Sequence, residues 1–172
     1  MFEKILVAID DSPGNQAVFQ KALSIAKANN ARLILLHVLW EEANRINIQS
    51  KFGQDSYSKF APETKSPRQQ NFLKNRGLNI LRSLIREASA AGVKSEFTQI
   101  TGDPSSTICE FAQSCQADLI VMGKQSYYDL EKIFLGSVSN YVLYHAPCSV
   151  LLVQTPIVKK QKVLSLHFSA NN

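Results

Sequence analysis

Gly123 and the pair Gly136-Ser137 are the residues of this 172-residue chain whose types and spacing could do chemistry. Gly123 directly follows the apolar run Leu119–Met122, and Gly136-Ser137 stands immediately before a short helical pattern, VSNYVLYH. A glycine at a strand end, with a small hydroxyl residue at a helix start, leaves a pocket of free backbone N–H groups. Such a pocket takes anions, above all the phosphates of a nucleotide. The same glycines would also serve as plain turn residues, and spacing alone does not separate the two uses.

Other chemistry is poorly supplied. His37 lies within an apolar run and His145 follows a helix face near Pro147, positions of packed or capping histidines, and His167 is in the tail. No serine sits in a nucleophile elbow, no carboxylate pair has catalytic spacing, and there is no P-loop lysine-threonine ending. No catalytic residue and no enzyme class is therefore assigned. Cys109, Cys115 and Cys148 are odd in number and form no CxxC, and Cys109 and Cys115, six apart on one helix, fall on different faces. Three buried thiols in a reducing compartment account for them better than zinc or disulfides, and no metal site is assigned.

The elements that must position the glycines follow from periodicity. Ile5–Ile9 and Arg32–Val38 are continuous apolar runs of the kind buried on both faces of a sheet. Between them Ser12-Pro13 reads as an N-cap and first helical residue, Val18, Ala22, Ile25 and Ala26 recur at helical spacing, and Asn29-Asn30 ends the helix. This is a βαβ unit with parallel strands. Residues 39–67 carry no sustained period and read as a long loop, a functional flap or partner surface. Residues 69–91 are helical again, with Leu73, Gly77, Ile80, Leu81, Leu84, Ile85 and Ala88 on one stripe and Gly92 closing the helix. The polar run 93–100 suits an edge strand, and Gly102-Asp103-Pro104 turns into a helix capped by Asp103. The run 149–153, SVLLV, is the last strand. Five strands alternating with four helices predict an open, doubly wound α/β sandwich as a single domain over 1–155, with a tail at 156–172.

Strand 1 demands a central place and polar strand 3 an edge, which gives the order 3-2-1-4-5. Ligands bind where such an order reverses, so the crevice opens between the ends of strands 1 and 4, which carry Asp10 and Gly123. Strand 5 then lies at an edge although it is strongly apolar. Pairing with its copy in a second subunit would cover it, so a twofold dimer through 149–153 is expected.

Bulk properties bound the class further. The net charge of +5 gathers in 65–86 and in Lys159, Lys160 and Lys162 without interleaved aromatics, the pattern of a solvated helix face and a basic tail rather than a nucleic-acid surface. No apolar run approaches membrane length, and the acidic start MFEKILVAIDD lacks the form of a signal peptide, so a cytoplasmic protein is expected.

These residues resemble the universal stress protein family over nearly the whole chain, through KILVAIDDSPGNQAV, LILLHV, TGDP, DLIVMG and GSVSNYVLYHAPCSVLLV. The resemblance implies the 3-2-1-4-5 sandwich, a homodimer often paired through its last strand, a cytoplasmic location and a role in stress survival. One branch of the family binds ATP through Gly, two residues, Gly, nine residues, Gly, then Ser or Thr. That motif maps onto Gly123 through Gly136-Ser137 with its interval preserved and Ser126 at the middle glycine. Where a turn needs positive φ, serine costs about 1 kcal/mol more than glycine, although its hydroxyl can donate to phosphate. Carried over, the resemblance places Asp10 near ribose and base, Val38 with its backbone on the adenine edge, and Met122, Gly123, Lys124, Ser126, Gly136, Ser137 and Val138 around the ligand. Asp10 as a cap, Val38 as a core valine, Lys124 as an exposed lysine and Ser137 as an N-cap are the alternatives. Magnesium or manganese would be held mainly by the nucleotide, and hydrolysis would be slow. Two functions follow: a nucleotide-responsive dimeric regulatory protein, or a dimeric interaction module that binds no nucleotide.

Overall fold

Ile5, Leu6 and Val7 are each fully buried, so the first apolar run is covered on both faces, as its lack of alternation requires. The computed structural model describes residues 1–40, 66–124 and 136–154. Among them β1 (Lys4–Ile9), β2 (Arg32–Leu39), β3 (Ser95–Thr101), β4 (Leu119–Lys124) and β5 (Ser149–Gln154) form one sheet of order β3-β2-β1-β4-β5. All four pairings are parallel. The four intervening helices are α1 (Asn15–Asn29), α2 (Pro67–Ala90), α3 (Pro104–Ser114) and α4 (Ser137–His145). The expected fold class and strand order are what the chain adopts.

The pleat sorts the core into two layers. Ile5, Val7, Ile9, Leu33, Leu35 and Val121 pack with Val18, Phe19 and Ala22 of α1 and Leu81, Leu84 and Ala88 of α2. Leu6, Ile34, Leu36, Ile120 and Met122 pack on the other face with Ile108 and Ala112 of α3 and Val142 of α4. Successive strand residues point to opposite faces, so each central strand feeds both layers.

Helix ends follow local chemistry, with one correction. Ser66 and Gln69 form a reciprocal capping box with Pro67 as the first helical residue, so α2 starts two residues before the expected 69 and Pro67 leaves the loop. Asp103 caps α3 through the N–H groups of Ser105 and Ser106. Asn30 (φ 53°) ends α1 in the left-handed region, as does Gly92 (φ 76°) just after α2. Ser12, however, does not cap α1. Its N–H and hydroxyl both turn back to Asp10 Oδ1, and its carbonyl accepts from Asn15, which leaves Gly14 as an N-cap with no side-chain bond.

The thiols also differ from expectation. Cys109, Cys115 and Cys148 are half-buried rather than buried, and all three border the same layer. Among the described residues no helix is long and apolar enough to cross a membrane.

The two edges contrast: Glu96 and Phe97 of β3 are exposed, whereas Val150, Leu151 and Leu152 of β5 are half-buried and apolar. At the opposite end of the sheet from the crevice, Asp118 Oδ2 accepts from the N–H groups of Glu3 at 2.7 Å and Lys4 at 3.1 Å, which registers β4 on β1. Charge-assisted bonds of this kind predict that Asp118→Ala lowers unfolding free energy by about 1–3 kcal/mol in urea titration, with the far-UV spectrum unchanged. A loss within error would show that apolar packing alone sets the register.

Candidate functional site

The carboxyl ends of β1, β2 and β4 meet where the strand order reverses, and four elements converge there. Val38 from β2, Met122 from β4 and Val138 from α4 belong to one apolar cluster with Ala8 of β1. Three of the expected ligand residues are thus brought together as a small apolar wall. Asp10 follows β1, is exposed, and has its carboxylate folded onto the Ser12 N–H. The β1–β4 register runs as far as Ala8 with Met122, and Asp10 and Lys124 follow two residues beyond on their own chains. Lys124 ends β4 half-buried, and its ammonium is unpaired among the described residues. On the rim, Gly102 N–H donates to Leu39 O at 3.0 Å, and a Cβ there would lie 2.7 Å from Thr107 Oγ1.

Gly123 is explained by a close approach. Among the described glycines only Gly92 has positive φ, so Gly123 is not a left-handed turn residue. A Cβ at Gly123 would stand 3.2 Å from Val18 Cγ2 of α1, which is tighter than ordinary packing. Its carbonyl accepts from the Ser139 hydroxyl at 3.3 Å, and this bond ties the first turn of α4 to the end of β4.

Among the described residues, the start of α4 has no side-chain cap. Gly136 is the N-cap (φ −57°, ψ 152°) and offers no side-chain bond, so Ser137 is the first helical residue and not the cap. Ser137 is exposed and Val138 half-buried, while Ser139 is only 4% exposed. Asn140 N–H is the first to be satisfied within the helix, by Gly136 O at 2.9 Å. The preceding N–H groups and the positive end of the helix dipole are the anion-binding elements. Ser139 escaped the sequence reading. Its signal is a hydroxyl three residues before buried Val142, on the inward stripe of a short helix. Ser126 and residues 127–135 lie outside the described residues, as do 41–65 and 155–172.

Behind this wall, on the α1–α2 face, sits a polar cluster that sequence reasoning treated only as a packed histidine. His37 is 5% exposed. Its Nε2 lies 3.4 Å from Asp11 Oδ1, and its Nδ1 lies 3.1 Å from Gln99 Nε2. Gln99 Nε2 also donates to Lys74 O at 3.1 Å, so that atom must be the amide nitrogen, since an oxygen there would face a carbonyl. It follows that Nδ1 accepts, and the ring carries its proton on Nε2, toward Asp11. Arg76 Nε stands 3.7 Å from Asp11 Oδ2. The 3.4 Å His37 contact falls short of hydrogen-bond geometry, which leaves Asp11 Oδ1 buried without a hydrogen bond. Gly77 makes room: a Cβ there would meet Gln99 Nε2 at 2.5 Å and His37 Cε1 at 2.6 Å. The signals in the sequence were a histidine within an apolar strand and a glycine inside an apolar helical stripe.

The thiols are not poised as nucleophiles. Burial pushes Cys109, Cys115 and Cys148 above the usual thiol range, helped by Glu110 at Cys109 and Asp118 at Cys148. Among the described residues no cluster of three histidine, cysteine or acidic side chains could hold a metal ion.

Comparison with known proteins agrees with this geometry. A family model described as "Universal stress protein family" matches residues 1–154, and the chain belongs to that family. It is 30% identical over 153 residues to the universal stress protein Sll1388 of Synechocystis, covering 89% of this chain and 98% of that protein. It is 33% identical over 154 residues to universal stress protein YxiE of Bacillus subtilis, covering 90% and 100%. Among solved structures, the universal stress protein UspA from Lactobacillus plantarum superposes with a TM-score of 0.68 at 24% identity, over 88% of this chain and 97% of that one. An Arabidopsis thaliana family member with AMP bound superposes at 0.61 and 22% identity, over 94% and 97%. A universal stress protein in complex with cAMP superposes at 0.60 and 24% identity, over 90% and 98%.

The Val18 contact makes a double-mutant cycle informative. Gly123→Ala alone should cost about 1–3 kcal/mol through overpacking. In a Val18→Ala background the same change should cost distinctly less, as read by chemical denaturation. Additive losses would mean that the approach of α1 is not what excludes a side chain at 123.

Proposed function

We propose that this protein binds ATP at the carboxyl ends of β1, β2 and β4 and acts as a nucleotide-responsive dimeric regulatory protein in stress survival. The observation that carries the reading is the uncapped start of α4, tied by Ser139 to Gly123 and flanked by the apolar wall of Val38, Met122 and Val138. A purine needs such a wall and phosphates need such N–H groups. The AMP and cAMP bound by solved relatives support a nucleotide ligand of this class.

Each residue then has a task. Asp10 accepts from ribose hydroxyls once it releases Ser12. The Val38 backbone meets the base edge, with Met122 packed beneath. Gly123 lets the ligand approach β4, while Gly136, Ser137 and Val138 direct N–H groups at the phosphates. Lys124 supplies a cation at the mouth, and the Ser126 hydroxyl offers a further donor. A magnesium or manganese ion would be carried by the phosphates, since Asp10 is the carboxylate at hand. No catalytic residue is assigned. The half-buried apolar edge of β5 pairs with a second copy through 149–153, and the assembly works in the cytoplasm.

Calorimetric titration of purified protein with ATP tests the reading, with a dissociation constant below the millimolar range expected. Absence of binding at millimolar ATP would leave the non-binding dimeric module in its place. Asp10→Ala should weaken binding by about tenfold, the equivalent of one charge-assisted hydrogen bond. If the backbone at 126 requires positive φ, Ser126→Gly tightens binding, and an unchanged affinity removes that strain from the account. Sedimentation at micromolar concentration should show a dimer, and a monomer alone would refute pairing through β5.

A further inference from the structure

We propose that Asp11 is a positioning residue for the nucleotide crevice, held from the opposite face of the sheet by His37 and Arg76, so that a ligand at Asp10 is felt by α2. This rests on the nucleotide reading above and adds a route by which occupancy leaves the site. Asp10 and Asp11 are consecutive, yet they serve opposite sides of the molecule. Asp10 Oδ1 takes the Ser12 N–H at 3.1 Å, on the crevice side. Asp11 reaches back to His37, and Arg76 Nη2 of α2 donates to the Asp11 carbonyl at 3.4 Å. The turn after β1 is therefore closed on itself by Asp10 and Ser12 and held from the rear face by His37 and Arg76.

The rear grip is built so that small displacements matter. His37 is wedged between Asp11 and Gln99, and Gln99 passes the contact to the Lys74 carbonyl of α2. The absence of a side chain at Gly77 lets α2 lie directly against the imidazole. Asp11 Oδ1 stands 3.4 Å from Nε2 but outside hydrogen-bond geometry, so a small displacement decides whether the bond forms. A ribose that competes with Ser12 for Asp10 shifts residues 10–12, and Asp11 must shift with them. That motion closes or opens the 3.4 Å gap and loads the His37–Gln99–Lys74 chain. The contiguous element biased by the ligand is thus the front half of α2, where Lys74, Arg76 and Gly77 lie.

The test combines nitrogen-15 spectra of the histidine rings with ATP titration of the full chain. In ligand-free protein the His37 ring should be neutral with its proton on Nε2. A proton on Nδ1 would overturn the arrangement irrespective of ATP. On adding ATP the Nε2 resonance should shift although the ring is buried on the far face, a response that a merely structural role would not produce. Asp11→Ala should weaken ATP binding about fivefold or more, the usual lower bound of coupling between sites. Asp11→Asn, which keeps an acceptor for Nε2–H, should recover most of that loss. Arg76→Ala removes an exposed side chain without touching the core and should weaken binding in the same direction. If wild type binds ATP while Asp11→Ala and Arg76→Ala bind it equally well and Nε2 does not move, the coupling is refuted and the ATP site stands. If wild type binds no ATP, the site itself fails, and the coupling with it.

Discussion

The burial of β1 on both faces is the constraint from which the rest of the molecule follows. A strand with Ile5, Leu6 and Val7 all excluded from water can have no solvent side, so helices must cover it front and back. Covering both faces in one continuous chain requires crossovers that first run outward through β2 to β3 and then return to β4 on the other flank. The reversal beside β1 is therefore a consequence of its burial, and the crevice is a consequence of the reversal. The residues just past β1 inherit the same two-sidedness. Where the strand leaves the sheet, Asp10 is exposed and bonded to Ser12, while Asp11 is taken up by the layer behind.

Placement of the helix start depends on a second, smaller set of contacts. β4 lies against α1 so closely that a side chain at 123 would press on Val18. The Gly123 carbonyl in turn anchors Ser139, and Ser139 fixes where α4 begins relative to the strand end. That bond adds to the packing of Val138 and Val142 in setting where the positive end of this nine-residue helix lies. Glycine at 123 thus has two effects, permitting packing on one face and orienting the anion-binding turn on the other.

The fold was legible because its signals are local. Continuous apolar runs, a capping aspartate before Pro104, and asparagine or glycine after α1 and α2 act within a few residues of one another. Ser12-Pro13 misled because Asp10, two residues earlier, competes for the same hydroxyl and N–H. The Ser137 boundary shifted by one because glycine can cap with its backbone alone. Helical spacing put Cys109 and Cys115 on different faces, yet both border one layer, since residues on either flank of a helix's inward stripe can meet the same core. What stayed hidden was long-range. His37, Gln99, Arg76 and Asp11 meet only through the sheet and α2, and no periodicity joins residues 62 apart in sequence such as His37 and Gln99. Membership of the universal stress protein family supplied residue roles at the crevice, but it is silent about this cluster.

The energetics of that cluster argue that it is kept for more than stability. A buried carboxylate oxygen without a hydrogen bond costs about 1–3 kcal/mol, and a glycine in a helix interior about 0.5–1 kcal/mol relative to alanine. An apolar residue at 37 would continue the layer of Leu33 and Leu35 and would remove the need for both Gly77 and Gln99. The chain instead keeps a polar group that matches its partners only in one tautomer, directly behind the crevice. Violations of local rules concentrate where a protein gives up stability for function. Here they lie one residue from Asp10, on the face of the sheet opposite the proposed crevice.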